Sequence, residues 1–129
     1  MDDANSHRER SRADARFAGE LSRRDPRADW ELVVRFYAAL HLTQAYLLTK
    51  RHRFEAKRHK EREDAIRASP ELTKGNRFPL AYKWLQDVSE QVRYDAGFKA
   101  RAEDFASAVT KQAIVGSFLD AKLVAALGT

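Results

Sequence analysis

WELVVRFYAALHLTQAYLL, residues 30–48, is the stretch that decides the fold class. Trp30, Val33, Val34, Tyr37, Leu40, His41, Ala45, Leu47 and Leu48 recur at helical spacing and draw a broad apolar stripe. Asp25-Pro26, just upstream, supplies an N-cap followed by proline at the first helical position, where its missing N–H costs nothing. The spacing predicts a helix from there to about Lys50.

Working outward, the same period continues. A basic linker leads to a shorter helix near Arg58–Ala68, ended by Ser69-Pro70. Gly75-Asn76 signals a turn, and Pro79 opens a helix with Tyr82, Leu85, Val88 and Val92 on one face. Gly97 marks the next break. The final segment, roughly Phe98–Leu127, is amphipathic at first through Phe98, Ala102, Phe105 and Val109. Ile114, Val115, Phe118, Leu119, Leu123, Val124 and Leu127 then spread round most of its circumference. A helix apolar all round needs burial on all sides, which predicts either a central position or a homodimer seam. Towards the N-terminus, residues 1–10 are polar and predicted to fray, and residues 11–24 form at most a short helix anchored by Phe17 and Leu21. The expectation is an all-α, up-and-down helical bundle of four to five helices. Residues 1–24 form a polar arm and residues 25–129 a single domain.

The 129 residues suit one core, and 43% hydrophobic with 33% charged residues describes a globular chain with a heavily ionised surface. The absence of cysteine excludes disulfides, thiolate metal sites and thiol catalysis. No apolar run has the length of a signal-peptide core or a membrane span, so a cytoplasmic location without membrane contact is expected. Walker-type glycine loops, dinucleotide fingerprints, GxSxG elbows and HExxH patterns are all missing. That leaves ATP hydrolysis, hydride transfer, serine hydrolysis and metal catalysis without a motif, and neither a metal nor another cofactor is expected.

The net charge of +5 is concentrated. Between Lys50 and Arg67 eight lysines and arginines face four acids, and two of the four histidines, His52 and His59, lie there too. Arg51, Arg53, Lys57, Arg58, Lys60 and Arg62 are the candidate nucleic-acid contacts, because a local cationic patch is what phosphate-rich partners need. The alternative is a solvated helix face laced by pairs such as Lys57–Glu61 and Lys60–Asp64.

The segment Arg35-Phe36-Tyr37-Ala38-Ala39-Leu40-His41-Leu42-Thr43-Gln44-Ala45-Tyr46-Leu47-Leu48 resembles the first core helix of HEPN (higher eukaryotes and prokaryotes nucleotide-binding) domains. In that family a loop and a histidine follow before a second helix, a place taken here by Lys57-Arg58-His59-Lys60-Glu61-Arg62. Tyr82 through Ser89, with Arg93 and Tyr94, resembles a later element, so the likeness spans about Trp30–Asp95. It implies a helical bundle, frequent homodimers, and links to RNA cleavage, nucleotide binding or bacterial conflict systems such as toxin–antitoxin pairs. Catalytic members place an arginine, a polar residue and then a histidine on a late helix. Here no histidine follows Arg93, and the similarly spaced Arg53–His59 lies in the early linker, with Phe54 after the arginine.

Metal-independent RNA cleavage requires a base for the 2′-hydroxyl and cations for the developing phosphorane charge. His59 suits the first role and its neighbours Arg58 and Arg62 the second. His41, on the apolar stripe, is either a core histidine satisfied by a neighbour or a cleft residue acting with Arg93. Arg93 either reads phosphate or binds carbonyls at the end of its own helix. Trp30, Trp84, Phe105 and Phe118 read as core rather than as base-stacking platforms, and His52 as solvated. His59, Arg93 and His41 are thus the catalytic candidates. Two functions follow: a domain binding RNA or a nucleotide, whose active version is a metal-independent ribonuclease, or a non-catalytic helical module for dimerisation or a partner protein. A helix-turn-helix DNA reader is less favoured, because no compact helix pair with a glycine turn precedes the basic segment.

Overall fold

The computed structural model describes residues 3–24, 28–50 and 58–128, and among these every regular element is a helix. The order is α1 (Ala4–Arg24), α2 (Trp30–Thr49), α3 (His59–Arg67), α4 (Pro70–Thr73), α5 (Phe78–Tyr94) and α6 (Ala102–Leu127). The expected all-α bundle is present. It has six helices rather than four to five, because the single turn α4 forms where Ser69-Pro70 was expected only to end a helix. Pro70 stands at its start and Ser69 is its N-cap. Asp25-Pro26 and the linker residues Arg51, His52, Arg53 and Lys57 lie outside the described residues.

The bundle is organised around α2, which packs against α1, α5 and α6. Leu32, Phe36, Ala45 and Leu47 on α2 are fully buried, as are Leu72, Phe78, Leu85, Val115, Leu119 and Leu123 from the surrounding elements. Each of these leucine, valine and phenylalanine side chains contributes roughly 1.5–3 kcal/mol when fully removed from water. The burial of α2 extends well beyond its apolar stripe. Glu31, Arg35, Thr43 and Gln44 are buried too, while Trp30, read as core, is 55% exposed. These buried polar groups are mostly answered internally, although Glu31 Oε1 has no partner. Arg35 Nε donates to Glu31 Oε2 at 2.7 Å and its Nη1 to Gln112 Oε1 of α6 at 2.6 Å. Thr43 Oγ1 donates back to Ala39 O.

The N-terminal arm differs most from its sequence reading. Residues expected to fray begin a 21-residue helix laid along α2. Its buried positions are Arg8, Ser11 and Ala18, and Ser11 Oγ donates to Ala38 O at 2.7 Å. Phe17, the expected anchor, faces outward. Small residues on α1 meet Ala38 and Ala39 of α2, so the helices approach through size rather than through large apolar side chains.

α6 is the other departure. The central position its composition allowed belongs to α2. α6 buries Ala108, Val115, Leu119 and Leu123, whereas Val109 and Val124 are about half exposed. No helix among the described residues is long and apolar enough to cross a membrane.

Candidate functional site

The polar residues of interest gather where α2, α3 and α5 meet. Helical spacing along α5 aligns Tyr82, Gln86, Ser89 and Arg93. The first three are buried. Opposite them, the nine-residue α3 is tied to the bundle by long side chains. Arg62, itself buried, donates from Nε to Gln44 Oε1 of α2 at 3.3 Å. Glu63 accepts from Gln86 Nε2 at 2.8 Å and from Lys83 Nζ at 3.5 Å. The His59 ring packs against Phe36, with centroids 5.6 Å apart.

His59 stands in a cationic and largely dehydrated setting. Burial, followed by the charges of Arg62 and Arg93, holds its pKa below the ordinary 6.5 against the smaller opposing pull of Glu90 and Glu63. Its Nδ1 is turned inward without a hydrogen-bond partner, as are Gln86 Oε1 and Ser89 Oγ. A proton placed on that nitrogen would have no acceptor, which also favours the neutral ring. Nearby, Tyr82 is pushed up to about 12, chiefly by burial and partly offset by Arg62. The phenol therefore stays protonated.

Arg93 is held from several directions. Its Nε donates to Ser89 O at 3.3 Å and its Nη1 to the Tyr37 hydroxyl at 3.1 Å. The guanidinium carbon lies 5.7 Å from the Tyr37 ring centroid and 5.0 Å from that of Tyr94. Arg93 thus bonds a carbonyl of its own helix and also joins the side-chain cluster. Tyr37 continues the contact to His41, with ring centroids 6.4 Å apart. His41 Nδ1 lies 2.9 Å from Nδ1 of His7, with the two rings stacked at 5.2 Å. One of those nitrogens must carry the hydrogen and the other accept it.

His41, His59 and Arg93 therefore belong to one connected cluster, linked through the adjacent rings of Phe36 and Tyr37 (5.5 Å). The grouping is not uniform. His59 lies within the electrostatic reach of Arg93, and His41 reaches it through Tyr37. His7 had no signal in the sequence, since it is a single histidine in a stretch read as frayed. Tyr37 was noted only as part of the apolar stripe.

The described part of the basic patch divides in two. Arg58 and Lys60 face solvent, with Arg58 Nε 3.9 Å from Glu61 Oε1. Arg62 turns inward instead. Asp64 pairs with Arg67 at 3.7 Å. Lys50, at the edge of the patch, donates to Ser69 Oγ at 2.9 Å and to Glu71, which also accepts from the Tyr46 hydroxyl at 2.9 Å. Burial and the Glu71 carboxylate push Tyr46 up to about 12. This second cluster fastens the end of α2 to α4. Among the described residues, no three histidine, aspartate or glutamate side chains gather as a metal ion would need. No family model, curated protein or solved structure matches the chain.

Proposed function

We propose that this chain is a HEPN-like helical domain that binds RNA or a nucleotide at the α3–α5 face, and that its active form is a metal-independent ribonuclease of a bacterial conflict or toxin–antitoxin system. The observation that carries this reading is the convergence of His59, held in its neutral form, with the guanidinium groups of Arg62 and Arg93. In the reaction, His59 accepts the proton of a 2′-hydroxyl at Nε2, which requires the neutral tautomer with its hydrogen on the inward Nδ1, and the freed oxygen attacks the adjacent phosphorus. Arg93 stabilises the extra charge on the phosphorane oxygens. The 5′-oxygen leaves and takes a proton from water, the hydroxide so formed is neutralised by the proton that His59 gives up, and the products are a 2′,3′-cyclic phosphate and a 5′-hydroxyl end. Arg58 and Lys60, beside His59, supply exposed charge for the flanking phosphates.

The test is RNA binding and turnover by the purified chain across a salt series. Binding is expected to weaken steeply with salt, because neutralised phosphates release counterions. Absence of salt-sensitive RNA binding would end this reading. If binding persists while His59→Ala and Arg93→Ala leave turnover unchanged, the ribonuclease is excluded and a binding domain remains.

A second reading, a non-catalytic helical module that dimerises or holds a partner protein, is favoured by the outer face of α6. Val109 and Val124 are exposed there, and the neighbouring exposed positions include Ala106, Ala113 and Ala121.

A further inference from the structure

Five side chains from three helices form one continuous chain of ring and cation contacts. His7 of α1 packs on His41 of α2 with an interplanar angle of 25°, and His41 packs on Tyr37 at 36°. Tyr37 lies against the Arg93 guanidinium, and Arg93 lies against Tyr94 at the end of α5. The stack is anchored at its centre by the hydrogen bond from Arg93 to the Tyr37 hydroxyl. Its α5 end is open: Tyr94 is 77% exposed. A large aromatic ring held against a fixed cation, yet mostly uncovered, presents a flat and electron-rich surface with little freedom left to lose.

We infer that Tyr94 is a base-stacking platform, on which an unpaired nucleobase extends the Tyr94–Arg93–Tyr37 stack while its phosphate lies towards Arg93 and His59. This rests on the nucleic-acid reading above and narrows it to a ligand with an exposed base face. In an A-form duplex the base faces are already stacked on one another and cannot reach an external ring. The ligand is therefore a single-stranded segment or a free nucleotide. The other exposed aromatic on the core helices, Trp30 at 55% exposure, sits at the far end of α2 from the basic segment and serves as the control.

The experiment compares wild type, Tyr94→Ala, Tyr94→Phe and Trp30→Ala in binding an oligoadenylate of about ten nucleotides, across a range of salt. Loss of one base–aromatic stack is expected to weaken binding roughly tenfold in Tyr94→Ala. The dependence on salt should stay unchanged, because no phosphate contact is removed. Trp30→Ala should bind as wild type does, Tyr94→Phe, which keeps the ring and gives up only the Arg93 hydrogen bond to its hydroxyl at 3.5 Å, should recover most of the lost affinity, and duplex RNA of the same length should not distinguish Tyr94→Ala from wild type. Adenosine monophosphate as competitor separates the two sources. Displacement by it at concentrations similar to the oligomer assigns the platform to a free nucleotide, and displacement by oligomers alone assigns it to a strand. Wild-type binding with Tyr94→Ala unaffected, or a reduced salt slope in that variant, overturns the platform and leaves the nucleic-acid reading standing. No binding by wild type removes both.

Discussion

A half-buried imidazole between two guanidinium groups is a poor place for another positive charge, and His59 has that position. Its folded pKa lies below the ordinary 6.5. As the pH falls through 6.5, the unfolded chain takes up this proton before the folded chain does. Stability therefore declines from about 6.5 down to the folded value and levels off below it. His59→Gln removes that proton uptake. Urea midpoints measured across the acid range should show wild type losing ground to this variant below pH 6.5, and parallel profiles would contradict the assignment. The same shift bears on the proposed RNA cleavage, since a ring that resists protonation is already in its basic form at neutral pH.

At the scale of the element, α1 makes the sharpest test of how this bundle is held. Ala18 is fully buried against the bundle, whereas Phe17 beside it is 47% exposed. Ala18→Leu forces extra volume into a close-packed contact and should cost roughly 1–3 kcal/mol. Phe17→Ala should stay within about 0.5 kcal/mol of wild type. Chemical denaturation of the two variants checks the order, and the reverse order would return Phe17 to the core. Apolar periodicity reveals α2 and α5 because their buried faces carry large side chains, and proline and glycine mark their surroundings. It does not reveal α1, whose contact surface is made of Ser11, Ala18 and the inward-facing Arg8. α6 looked apolar all round because Ile114, Phe118, Val124 and Leu127 share it with Val115, Leu119 and Leu123, yet only the latter three are buried and the helix lies against one side of the bundle. The buried Glu31, Arg35 and Gln44 conceal how central α2 is, since polar letters normally point to solvent. His59 and Arg93 were legible as residue types suited to phosphate chemistry. Their link through Phe36 and Tyr37 depends on how α2, α3 and α5 pack, which spacing within one helix cannot supply.

For the molecule as a whole, the open question is whether α6 faces a second copy. A helix of 26 residues is about 39 Å long. Its exposed face has Glu103 near one end and Asp120 near the other, with mainly small uncharged residues between them. If two copies pair through this face, Val109→Glu together with Val124→Glu should convert a dimer to a monomer in sedimentation equilibrium without lowering helix content. A wild-type chain that stays monomeric at all concentrations would end that reading.

The Glu31–Arg35–Gln112 chain has a consequence for how α6 can be seated. Leu119, Leu123 and Val115 would tolerate a neighbouring leucine-sized hollow almost as well as their own, so apolar contact alone defines the longitudinal position of α6 loosely. Sliding α6 by one turn moves Gln112 about 5.4 Å along the axis. That distance takes from the buried Arg35 its Nη1 acceptor and leaves it only the Glu31 carboxylate, a loss no apolar rearrangement recovers. The amide thus works as an alignment pin beside the stacked Phe118 and Phe78 rings, favouring one seating of the last helix over its near-duplicates.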